Sequence, residues 1–252
     1  MSDALTMLAD LLRRDDPDRH AMAMLAPARA RARLVTLYAL NLELARTPLG
    51  ARDPLLAQMR VQWWIDHLAD MARAEPPPHE LLTPLFAAWG RDAAALSTLA
   101  EGRLRDAERA PFDSADALCG YIDGTAGVLM AAAARAVDMP AGAASAVAAQ
   151  ARGAGLAAWL SAEPQLAELG SGLADPALRP GLARLGLAAL ARARGARRSV
   201  PRGPGVVLFA GAGAGVRLRA IGAGNTAPPP SDFARRAALA RLALTGRWWV
   251  GR

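Results

Sequence analysis

The sequence predicts an all-α chain. Three observations carry that reading. Alanine and leucine dominate, β-branched residues are few and aromatics make up 5% of the chain, a composition that favours helix over strand. Apolar residues recur at helical spacing over most of the length. The breaks between these periodic stretches fall at proline, glycine and Asx positions that start and stop helices. With 252 residues, 53% of them hydrophobic, there is ample material for a core.

Residues 3–14 are amphipathic, with Leu5, Leu8, Leu11 and Leu12 at helical spacing, and Asp15-Asp16-Pro17 breaks the pattern. A short helix is expected over 19–25. Pro27 opens the next, over 28–44, which Pro48-Leu49-Gly50 ends. Asp53-Pro54 reads as an N-cap followed by proline at the first helical position. That helix extends to residue 74, before the hard stop at Pro76-Pro77-Pro78. Further helices are expected over 80–89, 93–109, 114–137, 142–162 and 178–198, with a cap for the third of these within 113–116. Residues 201–224 are rich in glycine, proline and valine and are the least regular part. Pro228-Pro229-Pro230 then introduces a last helix over 232–248, with Ser231 or Asp232 as its cap. There is no internal repeat and no long linker, so the expectation is one domain over residues 1–252.

The formal charge is +7, and every basic residue is arginine. No acid lies between Asp175 and Asp232. Arg179, Arg184, Arg192, Arg194, Arg197, Arg198, Arg202, Arg217 and Arg219 all fall in that interval. A one-signed stretch of this kind is either a solvated face or a surface for an anionic membrane or an acidic protein. Nucleic acid is not expected as a partner. Only Phe209 interleaves these arginines, and no named nucleic-acid motif is present. Cys119, the single cysteine, excludes an internal disulfide and a cysteine zinc site, and its apolar neighbours make it a buried, inert thiol. The N-terminus has early acids and no long apolar region, which argues against a secretory signal. No uncharged apolar run has the look of a spanning helix. A cytoplasmic protein is expected, with peripheral contact to the inner face of a membrane allowed.

One family resemblance covers nearly the whole chain. It is carried by Asp18-Arg19 through Ala26-Pro27, by Leu37-Tyr38-Ala39-Leu40-Asn41, and by Arg60-Val61-Gln62-Trp63-Trp64-Ile65-Asp66. The run from Tyr121 to Met130 (YIDGTAGVLM), Arg198-Ser199-Val200-Pro201 and Gly246-Arg247-Trp248 continue it. These segments resemble the squalene/phytoene synthases. The resemblance implies the isoprenoid-synthase type of fold, a single-domain helical bundle around a central cavity. The combination of Asn41-x-Glu43-x-Ala45-Arg46 with Gln62-Trp63-Trp64 looks most like the branch that includes the mitochondrial complex I assembly factor and its bacterial relatives.

In active members of the family, two acidic clusters on facing helices hold magnesium against an allylic diphosphate. Carboxylates at i, i+3 or i, i+4 can share such ions. Here the positions of the first cluster carry Ala45, Arg46 and Leu49. The second is expected near 153–175, where only Glu163 and Glu168 precede Asp175, and Pro164 is expected to interrupt the helix. Leu173-Ala174-Asp175-Pro176 replaces the family's Tyr-Leu-Pro ending.

Other carboxylates are weighed as substitutes. Asp66 and Asp70 are spaced i, i+4 behind Trp63-Trp64, either as a relocated metal pair or as an exposed helix end. Glu101 and Asp106 are flanked by Arg103 and Arg105, which read as ion-pair partners. Glu43 is a lone polar group, with Arg46 at i+3 as a partner. Gly211, Gly213 and Gly215 evoke a dinucleotide loop, but Val216 stands at the third glycine position and no strand–turn–helix context surrounds them. His20, His67 and His79 form no ligand spacing. Trp63-Trp64 is expected in the core. The candidate cavity residues are Tyr38, Asn41, Glu43, Arg46, Trp63, Asp66, Asp70, Tyr121 and Gly127, with no confident catalytic or metal-ligating residue.

Two functions follow from the resemblance and its departures. The first is a non-catalytic relative acting in respiratory complex I assembly at the membrane surface, with complex I subunits as partners, the arginines from Arg179 to Arg219 against anionic lipid, and an isoprenoid as a ligand of the old cavity. The second is a prenyltransferase joining two prenyl diphosphates head to head, with magnesium as its only cofactor. On the first reading no cofactor is needed.

Overall fold

The computed structural model describes residues 3–51, 53–226 and 229–251. Among them every regular element is helical, and a single isolated bridge pairs Phe112 with Leu173. The chain gathers into two compact units, Met1–Arg109 and Ala110–Arg252, each described by itself.

In the first unit, α1 (Asp3–Asp15) and α2 (Pro17–Leu25) pack on α3 (Arg31–Arg46). Asp16 caps α2, its carboxylate accepting from the Arg19 N–H at 3.1 Å, with Pro17 at the first helical position. Every residue from Leu34 to Asn41 is buried, so this stretch of α3 is covered on all sides, as a helix at the centre of a bundle is. α4 (Pro54–Asp70) begins as expected, with the Asp53 carboxylate accepting from Leu55 N–H at 2.8 Å. α5 (Leu82–Trp89) is tied to α3 by two bonds: Trp89 Nε1 donates to the Arg33 carbonyl and Arg33 Nε donates to the Ala88 carbonyl, both at 3.1 Å. The helix expected over 93–109 is broken. A 3₁₀ segment (Gly90–Leu96) leads into α6 (Ser97–Glu101) and α7 (Leu104–Glu108), separated at Gly102. Glycine in a helix interior forfeits about 1 kcal/mol against alanine, and short pieces that pack on α4 replace the single rod. Arg109 ends α7 in the left-handed region, at φ 49°.

The second unit is built on α10 (Ala144–Glu168). α8 (Ala115–Ile122), capped by the Ser114 hydroxyl at 3.2 Å from Ala117 N, passes through one π turn (Asp123–Gly127) into α9 (Val128–Ala136). The continuous stretch Ala115–Ala136 is long and apolar enough to cross a membrane by length and composition, although it carries Asp116, Asp123 and Arg135. Here it packs along α10. α11 (Leu178–Gly195) lies against α10, and α12 (Ala214–Gly222) against both. Leu118, Ile122, Leu156, Leu160, Leu182 and Leu218 form the shared core.

Close approach is secured by small residues on α10. A Cβ at Gly153 would lie 2.6 Å from Leu190 Cγ, and one at Gly155 2.6 Å from Ile122 Cγ2. Pro164 does not stop α10, which runs four residues past it. The missing N–H falls within the last turns, where the loss of one bond is tolerated by a helix already held by its packing. The 201–224 stretch holds a 3₁₀ turn (Pro204–Leu208) and α12. The last helix, α13 (Asp232–Thr245), is capped by Ser231 and closed by Gly246 at φ 66°. Of the proline run before it, Pro228 lies outside the described residues.

Candidate functional site

Tyr38 and Asn41 sit one turn apart on the buried length of α3. The Tyr38 hydroxyl is buried and makes no hydrogen bond, while the Arg19 guanidinium stands 6.0 Å from its ring centre. Burial pushes the Tyr38 pKa up, so the phenol stays neutral. The Asn41 side-chain carbonyl accepts from Arg103 Nη2 at 3.2 Å, and Arg103 is paired through Nη1 with Asp106 at 3.1 Å. This Asn41–Arg103–Asp106 chain satisfies a buried amide that would otherwise be costly. Arg103 was expected to pair locally and does; its bond to Asn41, 62 residues away, left no trace in local spacing. The signal that existed was Asn41 itself, a polar residue inside an apolar run.

Glu43 and Arg46 face solvent in the last turn of α3. They are not the pair expected from their spacing. Arg46 reaches Asp15 at 2.8 Å instead, and Arg14 joins that carboxylate at 2.8 Å. The two guanidiniums hold the Asp15 carboxyl well below the usual range. Of the positions where the resemblance places the first acidic cluster, Ala45 is half-buried and Arg46 and Leu49 are exposed.

On α4, Trp64 is buried, but Trp63 is 39% exposed rather than part of the core. Trp63 stacks on His67 with ring centres 4.0 Å apart, and His79 comes within 5.6 Å of Trp63 and 5.5 Å of Trp64. Two of the scattered histidines thus meet in an aromatic cluster. Asp66 and Asp70 are both exposed. Asp66 accepts from Gln62 Nε2 at 2.7 Å, one turn back on the same helix.

In the second unit, Tyr121 is half-buried with its ring 5.3 Å from Phe112, and Gly127 closes the π turn. Cys119 is half-buried, and burial raises its thiol pKa, which lowers its reactivity. The acids expected near the second cluster are dispersed. Glu163 is 6% exposed and ion-paired with Arg179, Glu168 is exposed, and Asp175 caps its own turn, accepting from Ala177 N at 2.9 Å. Arg217 is likewise engaged, donating to Ser161 Oγ at 3.0 Å and the Ala212 carbonyl at 2.7 Å. Arg184, Arg192, Arg198, Arg202 and Arg219 are exposed.

Magnesium would need several oxygen ligands converging on one point. Among the described residues no three of His, Cys, Asp and Glu are placed to hold a metal ion. The one i, i+4 carboxylate pair, Asp66 and Asp70, points from a single helix into solvent. The residues present do not fit the ion.

The sequence matches the family model for squalene/phytoene synthase over residues 12–162, more than half of the chain. No curated protein matches it. Among solved structures it is similar to a dehydrosqualene synthase in complex with ligand, with a TM-score of 0.67 and 12% identity over 95% of each chain. At that identity the likeness is one of fold.

Proposed function

The chain belongs to the squalene/phytoene synthase family, and we propose that it is a non-catalytic member that acts in the assembly of respiratory complex I at a membrane surface. The observation that carries this reading is the fate of the acids. Ionising an allylic diphosphate leaves several negative charges to neutralise, and opposed metal clamps do that work. Here Arg46 stands in the first cluster's segment and is committed to Asp15, while the buried acid of the second segment, Glu163, is committed to Arg179. The two carboxylates, Asp15 and Glu163, are thus already neutralised by arginine. The branch is argued from Asn41-x-Glu43-x-Ala45-Arg46 and Gln62-Trp63-Trp64, and complex I subunits are the partners it implies.

The surface supports membrane contact. Besides the exposed arginines between Arg184 and Arg219, α13 carries Phe233, Ala237, Ala240 and Leu244 along one exposed stripe, with Arg236 and Arg241 beside it. An apolar stripe flanked by arginines suits the interface of an anionic bilayer. The protein would then be cytoplasmic and peripheral to the inner membrane face. Deleting the gene should lower the amount of assembled complex I on a native gel, and a copy carrying Asp66→Ala and Asp70→Ala should restore it. A normal level in the deletion strain would overturn the reading.

Family membership across the fold favours one second reading, a prenyltransferase that condenses two prenyl diphosphates using Asp66 and Asp70. It requires magnesium-dependent release of pyrophosphate from farnesyl or geranylgeranyl diphosphate, lost in Asp66→Ala/Asp70→Ala.

A further inference from the structure

The second unit carries a half-open cavity of about 810 Å³ between the π turn with α9, the N-terminal half of α10 and the C-terminal end of α11. That volume lies within the range of small-molecule sites. Of the candidate cavity residues Gly127 lines it, while Tyr38, Asn41, Trp63, Asp66 and Asp70 do not, so no residue weighed as a metal ligand takes part.

The walls are small and apolar. Val128 and Ala131 line it from α9, Ala144 and Ala148 from α10, and Met139 from the connecting loop. Alanines a turn apart on facing helices leave the width that larger side chains would fill. A polar ligand would lose its hydration there without recovering hydrogen bonds, so the interior selects an apolar chain.

Charge is confined to four lining residues, one acid and three bases: Asp123, Arg135, Arg152 and Arg192. Asp123 is taken by Arg152, which donates to it through both Nε and Nη2. Arg135 and Arg192 are exposed, and neither has an acidic partner among the described residues. The cavity therefore pairs a mostly apolar wall with two uncompensated guanidiniums at its edge. Guanidinium matches phosphate through paired, charge-assisted hydrogen bonds, and a phosphate monoester carries about −1.5 to −2 at neutral pH, against the two charges available.

We propose that this cavity binds a single-chain amphiphile with a phosphate monoester head, the chain among the α9 and α10 alanines and the head between Arg135 and Arg192. The test is calorimetry on the full chain with 1-oleoyl lysophosphatidic acid below its aggregation threshold. The comparators are oleate, oleoyl lysophosphatidylcholine and glycerol 3-phosphate. One molecule of the lysophosphatidic acid should bind, about tenfold or more tighter than either other oleoyl ligand, because charged hydrogen bonds are at stake. The bare headgroup should not bind. Arg135→Gln/Arg192→Gln should erase that preference and leave the phosphatidylcholine affinity unchanged. Ala131→Leu/Ala148→Leu should weaken both lipids, and an unchanged melting temperature shows that the fold survives.

Equal binding of the charged and zwitterionic lipids would overturn the proposal. So would an unchanged affinity in the arginine variant, or full affinity with the cavity filled. Tighter binding of oleate would overturn the phosphate assignment. Loss of binding in Arg202→Gln/Arg219→Gln, with none in Arg135→Gln/Arg192→Gln, would place the lipid on the outer arginine face and overturn the cavity site.

Discussion

Glu163 is the acid whose surroundings say most about this chain. Its carboxylate is buried, bonded to Arg179 from the next helix and 3.5 Å from the Leu173 N–H. Removing one partner of a buried pair costs far more than the pair's net worth, because the other charge is stranded. Arg179 keeps 27% of its side-chain surface in water, which softens that penalty. Glu163→Ala is expected to cost about 1–3 kcal/mol, lowering the melting temperature by about 2–4 °C per kcal/mol in a chain of this size. Adding Arg179→Ala should recover part of the loss, since no charge is then left unpaired. Urea titrations of the four forms measure the coupling, and additive losses would contradict it. Spacing reveals partners at i+3 and i+4, as it did for Arg103 and Asp106. It is blind to a partner sixteen residues away on another helix, so Glu163 read as a stray remnant of a cluster. Asn41 was legible through the motif segments that carry the family resemblance; its bond to Arg103 was not.

At the scale of elements, α10 is where small residues decide the packing. Gly155→Ala would gain about 1 kcal/mol of helix propensity, but its Cβ would sit 2.6 Å from Ile122 Cγ2 and 2.8 Å from Ala126 Cβ. Both contacts lie close to the backbone of a packed helix and have little room to yield. Overpacking of this kind costs about 1–3 kcal/mol, so the net effect is destabilising. Gly181→Ala on α11 meets nothing within 4 Å, and it should stabilise by up to about 1 kcal/mol. Thermal melts of the two variants should move in opposite directions; a Gly155→Ala protein as stable as the parent would mean that α8 and α10 do not approach as described. Helix starts were legible at the caps Asp53, Ser114 and Ser231, while Asp16 read as part of a break although it caps α2. Ends were less so. Pro164 looked like a stop because local rules make it one, yet tertiary packing carries α10 past it. The stretch from 93 to 109 looked like one helix because its alanines and leucines permit it, yet Gly102 divides it where α6 and α7 each find α4. The exposure of Trp63 beside buried Trp64 follows from a helical step of one residue, which always turns a neighbour to another face.

For the whole molecule, composition and punctuation made the all-α class legible, and the motif segments made the isoprenoid-synthase fold legible. The arginine-rich stretch was legible as a charge run but not as a surface, because Arg179 pairs with buried Glu163 and Arg217 bonds Ser161 and the Ala212 carbonyl, while Arg184, Arg192, Arg198, Arg202 and Arg219 are exposed. Of the cavity edged by Arg135 and Arg192 only Gly127 was legible: the other walls are mostly alanines from three elements, and alanine carries no signal for empty space. On the proposed reading, this fold has left metal-dependent diphosphate chemistry. That reading is tested most directly by titrating the purified protein with magnesium in a calorimeter, with and without a non-hydrolysable farnesyl diphosphate analogue. The account predicts that magnesium adds nothing to the analogue's binding, even if the amphiphile cavity takes the analogue by itself. Tight binding of the analogue that appears only with magnesium, and disappears in Asp66→Ala/Asp70→Ala, would contradict it.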